Sequence, residues 1–266
     1  MFDIRDVQAC ALDIMVDIDK ICRENGIEYS LCGGSVIGAK IYNGFIPWDD
    51  DIDLMMTREN YDKFLKVYPK FSKNNYHIEN YKTKPIKEVL TLFSRVVDDS
   101  TETIELLNGK EEKKGKVFID ITVYDKCNKG YKYKINELQR MYIYLYFYKM
   151  HGILPTNPLK KKIFMLIKNN LTEEEVVKKY CKYENKCRKR NKKNYRFCSE
   201  FMSSLFPGHL YTLDLFDEYI DIEFSKYKFR IIKKYDKYLY QRYGRTEFTK
   251  ENKGNVHSHI ISFKRC

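Results

Sequence analysis

The sequence lacks the features of exported and membrane-spanning proteins. Its first residues do not combine a positively charged start with an apolar stretch, as a signal peptide would. The most lipophilic run, Met141 to Tyr148, is far shorter than the roughly 20 residues that a membrane-spanning helix needs. We therefore expect a cytoplasmic protein, in which any association with a membrane is peripheral and at the inner face.

The sequence also lacks the cysteine spacing of a disulfide framework or a zinc knuckle, because its 8 cysteines form no Cys-x-x-Cys pair. It has no internal repeat and no RNA-binding motif such as the aromatic signature of an RNA-recognition domain. The 49 Lys and Arg against 37 Asp and Glu give a net charge of +12, which favours polyanionic partners. Without such a motif we expect no nucleic-acid partner, and a basic RNA-binding scaffold is the alternative.

Hydrophobic periodicity predicts helices that alternate with strands. Apolar residues three or four positions apart indicate a helix from Ile4 to Asn25, and Ile27–Cys32 has the pattern of a strand. We expect a short helix at Val36–Ile41 and two further strands, at 49–56 and 117–123. The later segments are predicted as a strand at 220–224 and helices at 133–150, 158–169, 172–190 and 233–243.

A run of aspartates lies within apolar sequence, between Pro47-Trp48 and Leu54-Met55-Met56. In a strand the two-residue period points Asp49, Asp51 and Asp53 to one face. Crowding buried carboxylates is costly unless a cation neutralises them. Oxygen ligands suit a hard ion, so we expect these residues to bind Mg²⁺ or Mn²⁺.

Asp120 is the candidate for a further carboxylate ligand, because it alternates with Ile119 and Ile121 on its own apolar strand. Two ions held in this way would lie roughly 4 Å apart. We therefore predict that Asp51, Asp53 and Asp120 are catalytic as well as metal-binding. Asp120 is also the candidate that accepts a proton from a substrate hydroxyl.

Three further features are candidates for substrate binding. Gly33, Gly34 and Ser35 form a turn where bare backbone N–H groups and a hydroxyl can approach a phosphate. Arg95 follows an apolar stretch, and its guanidinium suits a phosphate. His257 lies in the polar C-terminal tail. The alternatives are an ordinary tight turn, a surface arginine and a residue of a loose tail.

The order of these features reproduces the layout of the nucleotidyltransferase superfamily, which includes polymerase-beta-like enzymes. The order is a Gly-Gly-Ser turn, a helix, an Asp-Ile-Asp strand and a later strand aspartate. We therefore expect an α/β (α+β) fold whose catalytic core, a nucleotidyltransferase-like domain with a mixed sheet, covers residues 1–128. Residues 129–266 are predicted to form a helical substrate-binding region and a C-terminal tail packed on that core.

Within this superfamily, the sequence resembles one family in particular. The stretch Gly33–Ala39 followed by Gly44–Asp53 closely resembles the signature of the LicD family, to which the fukutin-type enzymes also belong. Phe118–Ile121 and Tyr238–Gly244 are similar to further landmarks of that family. The resemblance is weak from about 130 to 215, and Thr122–Asp125 departs from the Phe-Pro-Leu-Asp-like continuation of the relatives.

The resemblance implies an activity. Family members transfer phosphocholine or a related phospho-alcohol from a CDP-linked donor to a glycan. We expect CDP-choline as the favoured donor, and a cell-surface glycan (lipopolysaccharide, teichoic acid or capsule), free or lipid-linked, as the acceptor. The basic stretch 182–196 is either a solvated helix end or a contact to an anionic membrane or lipid-linked acceptor. The alternative activity is an NTP-dependent nucleotidyltransferase acting on a small molecule or RNA, since the same carboxylates would serve both.

Overall fold

The computed structural model describes residues 3–89, 91–107, 111–152, 154–155, 158–166, 172–201, 209–250 and 260–266. The chain divides into two compact units that are interleaved along the sequence. Unit 1 comprises Met1–Ile78, Arg95–Ile121 and Leu215–Cys266, and unit 2 comprises Glu79–Ser94 and Thr122–Asp214. This division differs from the predicted boundary near residue 128, because the C-terminal residues belong to unit 1.

Helices and strands are mixed along the chain, as the sequence predicted. In chain order the elements are α1 (Ile4–Glu24), β1 (Ser30–Leu31), α2 (Gly33–Tyr42), β2 (Asp53–Thr57), α3 (Arg58–Phe71), β3 (Tyr76–Glu79), β4 (Ser94–Asp98), β5 (Thr101–Leu107), β6 (Glu111–Gly115), β7 (Phe118–Cys127), α4 (Tyr131–Met150), α5 (Pro158–Leu166), α6 (Glu173–Asn191), β8 (Phe197–Phe201), β9 (Leu210–Thr212), β10 (Tyr219–Phe224), β11 (Tyr227–Ile232), α7 (Tyr235–Tyr243) and β12 (Ile260–Arg265). The protein is therefore of the mixed α/β class.

The main sheet of unit 1 has the strand order β1-β2-β7-β4-β3. β1 and β2 are antiparallel, and β2 has β7 on its other side. The N–H of Asp120 on β7 donates to the carbonyl of Ile52 (3.1 Å). Asp53 on β2 and Asp120 on β7 therefore lie on neighbouring strands, as predicted.

The first helix packs its apolar stripe into the core of unit 1. Asp3 caps α1 by accepting a hydrogen bond from the N–H of Arg5 (2.9 Å), and Ile14 and Ile18 are fully buried. The helix is followed by Gly26, whose φ of +58° suits glycine. The predicted helix is confirmed.

The segment Gly33–Ser35, which we call the glycine turn, forms the start of helix α2. α2 begins at Gly33, so the prediction of a helix from Val36 is wrong by one turn. Gly33 has a φ of +56°, a backbone conformation that glycine adopts without a steric penalty. The strand before it covers Ser30–Leu31 instead of all of residues 27–32.

The aspartate run lies mostly outside the strand. β2 begins at Asp53, so the prediction of a strand from residue 49 is wrong. A turn precedes it, in which the N–H of Asp49 donates to the carbonyl of Ile46 (2.9 Å) around Pro47. The positions of Asp49 and Asp51 are therefore set by the conformation of the loop and not by the alternation of a strand.

The described residues of unit 2 include the helices α4, α5 and α6 and the strands β8 and β9. The second half of β7 pairs antiparallel with β8, and β8 pairs with β9. Helix α6 opens with a capping box formed by Thr172 and Glu175, as predicted. Leu145 of α4 packs with Phe164 of α5 in a hydrophobic cluster. None of the helices in the described ranges combines the length and the apolar character that crossing a bilayer requires.

The C-terminal region of unit 1 contains more strand than predicted. β10 and β11 form an antiparallel hairpin, and β12 pairs with β5 in a separate sheet of three strands. Helix α7 ends at Gly244, the predicted stop. The strand predicted at 220–224 is present as β10, and β11 and β12 were not predicted, although the β-branched and aromatic residues of Tyr227–Ile232 favour a strand.

Candidate active site

Three carboxylates meet in unit 1. Asp51 lies in the loop before β2, Asp53 is the first residue of β2 and Asp120 lies on β7. One carboxylate oxygen from each lies within 4.8 Å of the others. The three aspartates that the sequence analysis assigned to catalysis are therefore close enough to share a bound ion.

The remaining aspartates of the run, Asp49 and Asp50, have different neighbours. Asp49 and Asp50 form a second group with Asp51, again with oxygens within 4.8 Å of one another. Asp50 is buried, and its Oδ2 accepts a hydrogen bond from the N–H of Ile260 at the start of β12 (2.8 Å). Asp50 thus has a structural contact, whereas Asp49 lies beside the glycine turn.

Burial of these carboxylates opposes their ionisation. Desolvation is the largest cause that raises the pKa of Asp53 to about 7, followed by the negative charge of Asp120. Desolvation also raises the pKa of Asp51 well above its ordinary value, and the charges of Asp53 and Asp49 add to this effect. Full ionisation of the cluster is therefore unfavourable without a cation nearby.

The glycines of the turn provide space for two carboxylates. A Cβ added at Gly33 would lie 2.9 Å from Oδ2 of Asp53, and one added at Gly34 would lie 2.9 Å from Oδ2 of Asp49. Both distances are too short for a carbon atom. Glycine at both positions therefore permits the close approach of backbone and carboxylate, and with a larger residue the carboxylate would have to move.

Polar groups of the glycine turn form hydrogen bonds within unit 1. The hydroxyl of Ser35 accepts a hydrogen bond from the N–H of Asp53 (2.9 Å). The N–H of Gly33 donates to the hydroxyl of Tyr238 (2.9 Å). These contacts fix the first residue of β2 against the start of α2. The predicted contact of the turn with a phosphate stays a prediction.

Arg95 is buried and bound to the acidic site. Its Nε donates to Oδ1 of Asp120 (2.8 Å), and its Nη1 lies 3.4 Å from Oε2 of Glu105. The guanidinium carbon lies 3.6 Å from the centroid of the Phe118 ring. The alternative of a surface arginine is wrong, and Arg95 orients the carboxylate of Asp120. Its contact with a substrate phosphate stays a prediction, and His257 lies outside the described residues.

The donor set fits a hard divalent cation. Asp51, Asp53 and Asp120 offer only oxygen atoms, and burial together with the neighbouring carboxylates raises the pKa of Asp51 and Asp53, so a bound cation would favour their ionised form. No cysteine is part of the two carboxylate groups found among the described residues. Oxygen ligation of this kind suits Mg²⁺ or Mn²⁺ better than zinc.

A family model matches the segment that contains this site. Residues 26–142 match the model described as LicD/FKTN/FKRP, nucleotidyltransferase domain. This segment is therefore similar to the LicD family. The match includes the glycine turn, the aspartate run, Arg95 and Asp120, and it excludes α7.

Curated relatives match parts of this chain. The lipopolysaccharide cholinephosphotransferase LicD of Haemophilus influenzae is 31% identical over 122 residues, which cover 46% of this chain and 44% of the relative. An uncharacterized protein of Rickettsia typhi is 30% identical over 82 residues, 30% of this chain and 26% of the relative. The chain thus spans less than half of the length of the curated relatives that it matches.

Two residues of α7 lie beside the carboxylate site, and no role was predicted for them. Tyr238 is fully buried and contacts Gly33 as described. Arg242 lies one helical turn later, and its positive charge acts on Asp53 against the larger effects of burial and Asp120. The four-residue spacing of Tyr238 and Arg242 places both on one helix face, which is the signal that the sequence offered.

We expect the metal-free protein to lose stability as the pH rises from about 4 to about 7. The pKa of Asp53 is about 7 in the folded protein and about 3.9 in an unfolded chain, so the folded state holds the proton more tightly in this window. Linkage then lowers the free energy of unfolding with rising pH, by at most about 1.4 kcal/mol per pH unit for one group.

Melting curves between pH 5 and pH 8, in chelator and in Mg²⁺, measure this effect. Because the cation competes with the proton, the stabilisation by Mg²⁺ should grow as the pH rises. A stabilisation of equal size at each pH would contradict the prediction.

Proposed function

We propose that this protein transfers phosphocholine from CDP-choline to a hydroxyl of a cell-surface glycan and releases CMP. One observation carries the proposal: Asp51, Asp53 and Asp120 converge to within 4.8 Å in a segment that matches the LicD family model. The relative from Haemophilus influenzae is named a lipopolysaccharide cholinephosphotransferase, which supports phosphocholine and a glycan as substrates. The proposal includes a nucleotidyltransferase-like core, supported by adjacent β2 and β7.

Asp51, Asp53 and Asp120 would hold Mg²⁺ or Mn²⁺, with Asp49 next to them as a further ligand. A bound divalent cation supplies positive charge that neutralises the diphosphate and lowers the pKa of the acceptor hydroxyl. The glycine turn supports this arrangement because it leaves room for Asp53 and Asp49. Arg95 contributes by orienting Asp120 through Nε.

The transfer step exchanges one P–O bond for another. The oxygen of the acceptor hydroxyl forms a bond to the phosphorus that bears choline, and the bond from that phosphorus to the bridging oxygen breaks. The bridging oxygen keeps the electron pair and leaves as part of CMP. The hydroxyl proton passes to a carboxylate of the cluster, for which Asp120 remains our candidate.

Arg242 supplies a second positive charge at the site. It lies on the same face of α7 as Tyr238, which contacts the glycine turn, and its charge acts on Asp53. A guanidinium in this place suits the diphosphate of the donor. We therefore add Arg242 to Gly33, Gly34 and Ser35 as a proposed part of the donor site.

A second candidate function is nucleotide transfer from an NTP to a small molecule or RNA. It is favoured by the description of the matching family model as a nucleotidyltransferase domain. The two functions differ in the phosphorus that is attacked and therefore in the product that leaves. Phosphocholine transfer releases CMP, whereas nucleotide transfer releases pyrophosphate.

Product analysis tests the proposal. The purified protein is incubated with Mg²⁺, a glycan acceptor and either CDP-alcohols (choline, ethanolamine, glycerol, ribitol) or the four NTPs, and the nucleotide products are separated. We expect CMP to accumulate fastest with CDP-choline and no pyrophosphate to form from NTPs. Pyrophosphate without CMP would support the second candidate and overturn the first.

A further inference from the structure

Two helices of unit 2 carry matching stripes of exposed side chains. Ile135, Leu138 and Tyr142 of α4 follow the spacing i, i+3, i+7 and are 37%, 53% and 47% exposed. Lys179 and Lys182 begin a stripe of α6 with the same spacing, which Lys186 completes, and all three are exposed. Since this spacing puts residues on one face of a helix, each helix presents one continuous stripe.

The groove between these helices has a volume of about 390 Å³. It is lined by Gln139, Tyr142 and Tyr146 of α4 and by Lys179, Lys182 and Lys186 of α6. Nζ of Lys179 lies 4.9 Å from the centroid of the Tyr146 ring, and Nζ of Lys186 donates to Oε1 of Gln139 (3.1 Å). We call this feature the α4–α6 groove.

Acidic residues near the groove are neutralised by other partners. Glu184 is buried and bound by Arg188 (2.7 Å) and Lys82 (3.2 Å). Glu137 lies 2.6 Å from Arg140 on the same helix. The lysines of the groove therefore present their charge to solvent. Part of the predicted basic stretch 182–196 is internal, because Arg188 pairs within α6.

Helix α5 presents the same combination of apolar and basic side chains. Leu159, Met165 and Leu166 are 68%, 68% and 86% exposed, and the neighbouring Lys161 and Lys162 are also exposed. More than half of the exposed large apolar side chains among the described residues lie between Ile135 and Leu166. Exposed aliphatic side chains beside lysines are typical of surfaces that bind the membrane interface. They give no advantage in contacts with a nucleic acid.

We propose that the α4–α6 groove, with α5, docks onto the surface of an anionic phospholipid bilayer. The lysines contact lipid phosphates, and the aliphatic side chains of α4 enter the boundary between headgroups and acyl chains. Peripheral binding of this kind holds the protein at the membrane without a spanning helix. The proposal rests on unit 2 alone and does not depend on the proposed transferase activity.

Vesicle flotation of the full chain tests the proposal. We compare vesicles of phosphatidylcholine alone with vesicles that contain about 30% phosphatidylglycerol. Wild type is expected to bind the anionic vesicles at least about tenfold more strongly, and this binding is expected to weaken at high salt. Replacing Lys179, Lys182 and Lys186 by Gln should lower binding by about 100-fold, since each lysine near an anionic surface contributes about fivefold.

A matched control uses the same spacing on another helix. Lys63, Lys66 and Lys70 follow i, i+3, i+7 on α3 of unit 1, and the triple Gln variant there should bind vesicles as wild type does. Leu138→Ser should lower binding by about tenfold while leaving the salt dependence unchanged. Equal loss in both triple variants, no binding of wild type to anionic vesicles, or binding to a short RNA instead of vesicles would each overturn the proposal. Circular dichroism of each variant establishes that it is folded.

Discussion

Asp53→Asn should lower CMP release by at least about 100-fold. Loss of a residue that only hydrogen-bonds to a metal ligand already costs up to about 100-fold, and Asp53 is proposed to be a ligand itself. The same variant should be at least as stable as wild type in chelator. The substitution keeps the size of the side chain and removes a carboxylate whose pKa is raised to about 7 by burial and by Asp120. At pH 8 the gain in the free energy of unfolding is on the order of 4 kcal/mol, since the pKa of Asp53 rises from about 4 to about 7 and one unit of pKa corresponds to about 1.4 kcal/mol.

In millimolar Mg²⁺ with CDP-choline the order of stability should reverse. Only wild type offers the full set of carboxylates, and it gains stability by mass action as ligands bind. Thermal melting in both conditions measures this change of sign. Asp217→Asn is the control, because Asp217 is an exposed carboxylate of unit 1 that lies 3.8 Å from Nζ of Lys234. If Asp53→Asn behaves like that control and still releases CMP, the assignment of the acidic site is wrong.

Gly33→Ala should abolish most of the activity through the position of Asp53. The new Cβ would lie 2.9 Å from Oδ2 of Asp53, so the carboxylate must move. A displacement of about 1 Å at a reacting centre costs on the order of 100-fold in rate. The φ of +56° adds a backbone cost of about 1–2 kcal/mol in stability. CMP release and Mg²⁺ titration measure the two effects.

Gly26→Ala separates the backbone cost from the effect on the site. Gly26 has nearly the same φ, +58°, but a Cβ there would meet only Nζ of Lys63 at 3.8 Å. Both variants should lose about 1–2 kcal/mol of stability, whereas only Gly33→Ala should lose Mg²⁺ affinity and CMP release. Equal activity of the two variants would show that Gly33 has no role in placing Asp53.

The carboxylate cluster was predictable because its members lie in short local patterns. Asp120 alternates with Ile119 and Ile121 on a strand, and that alternation is visible in the sequence and present in β7. Asp51 and Asp53 belong to one run of acids within apolar residues. Their convergence was confirmed, although the strand explanation for Asp49 and Asp51 was wrong because a turn around Pro47 delays the strand.

The contacts that complete the site join distant parts of the chain. Tyr238 is 205 positions from Gly33, and Ile260 is 210 positions from Asp50. Local propensity carries no information on such pairs, so the roles of Tyr238 and Asp50 could not be predicted. The same reason applies to the C-terminal strands, since β12 is stabilised by pairing with β5 and not by its own residues.

The surroundings of Arg95 also could not be predicted from the sequence. Its position after an apolar stretch favoured a phosphate contact and a surface location about equally. The fold instead buries it between Asp120 and Glu105, where two carboxylates compensate the charge. Burial of this kind depends on which strands become neighbours, and that is a property of the sheet order β7-β4.

Titration calorimetry of CDP-choline, in Mg²⁺ and in chelator, tests the central claim most directly. The claim is that the carboxylates of Asp51, Asp53 and Asp120 hold a cation that receives the donor diphosphate. Without the cation these carboxylates repel the diphosphate, so we expect binding in Mg²⁺ and little or none in chelator. Equal affinity for CDP-choline in both conditions would contradict the claim.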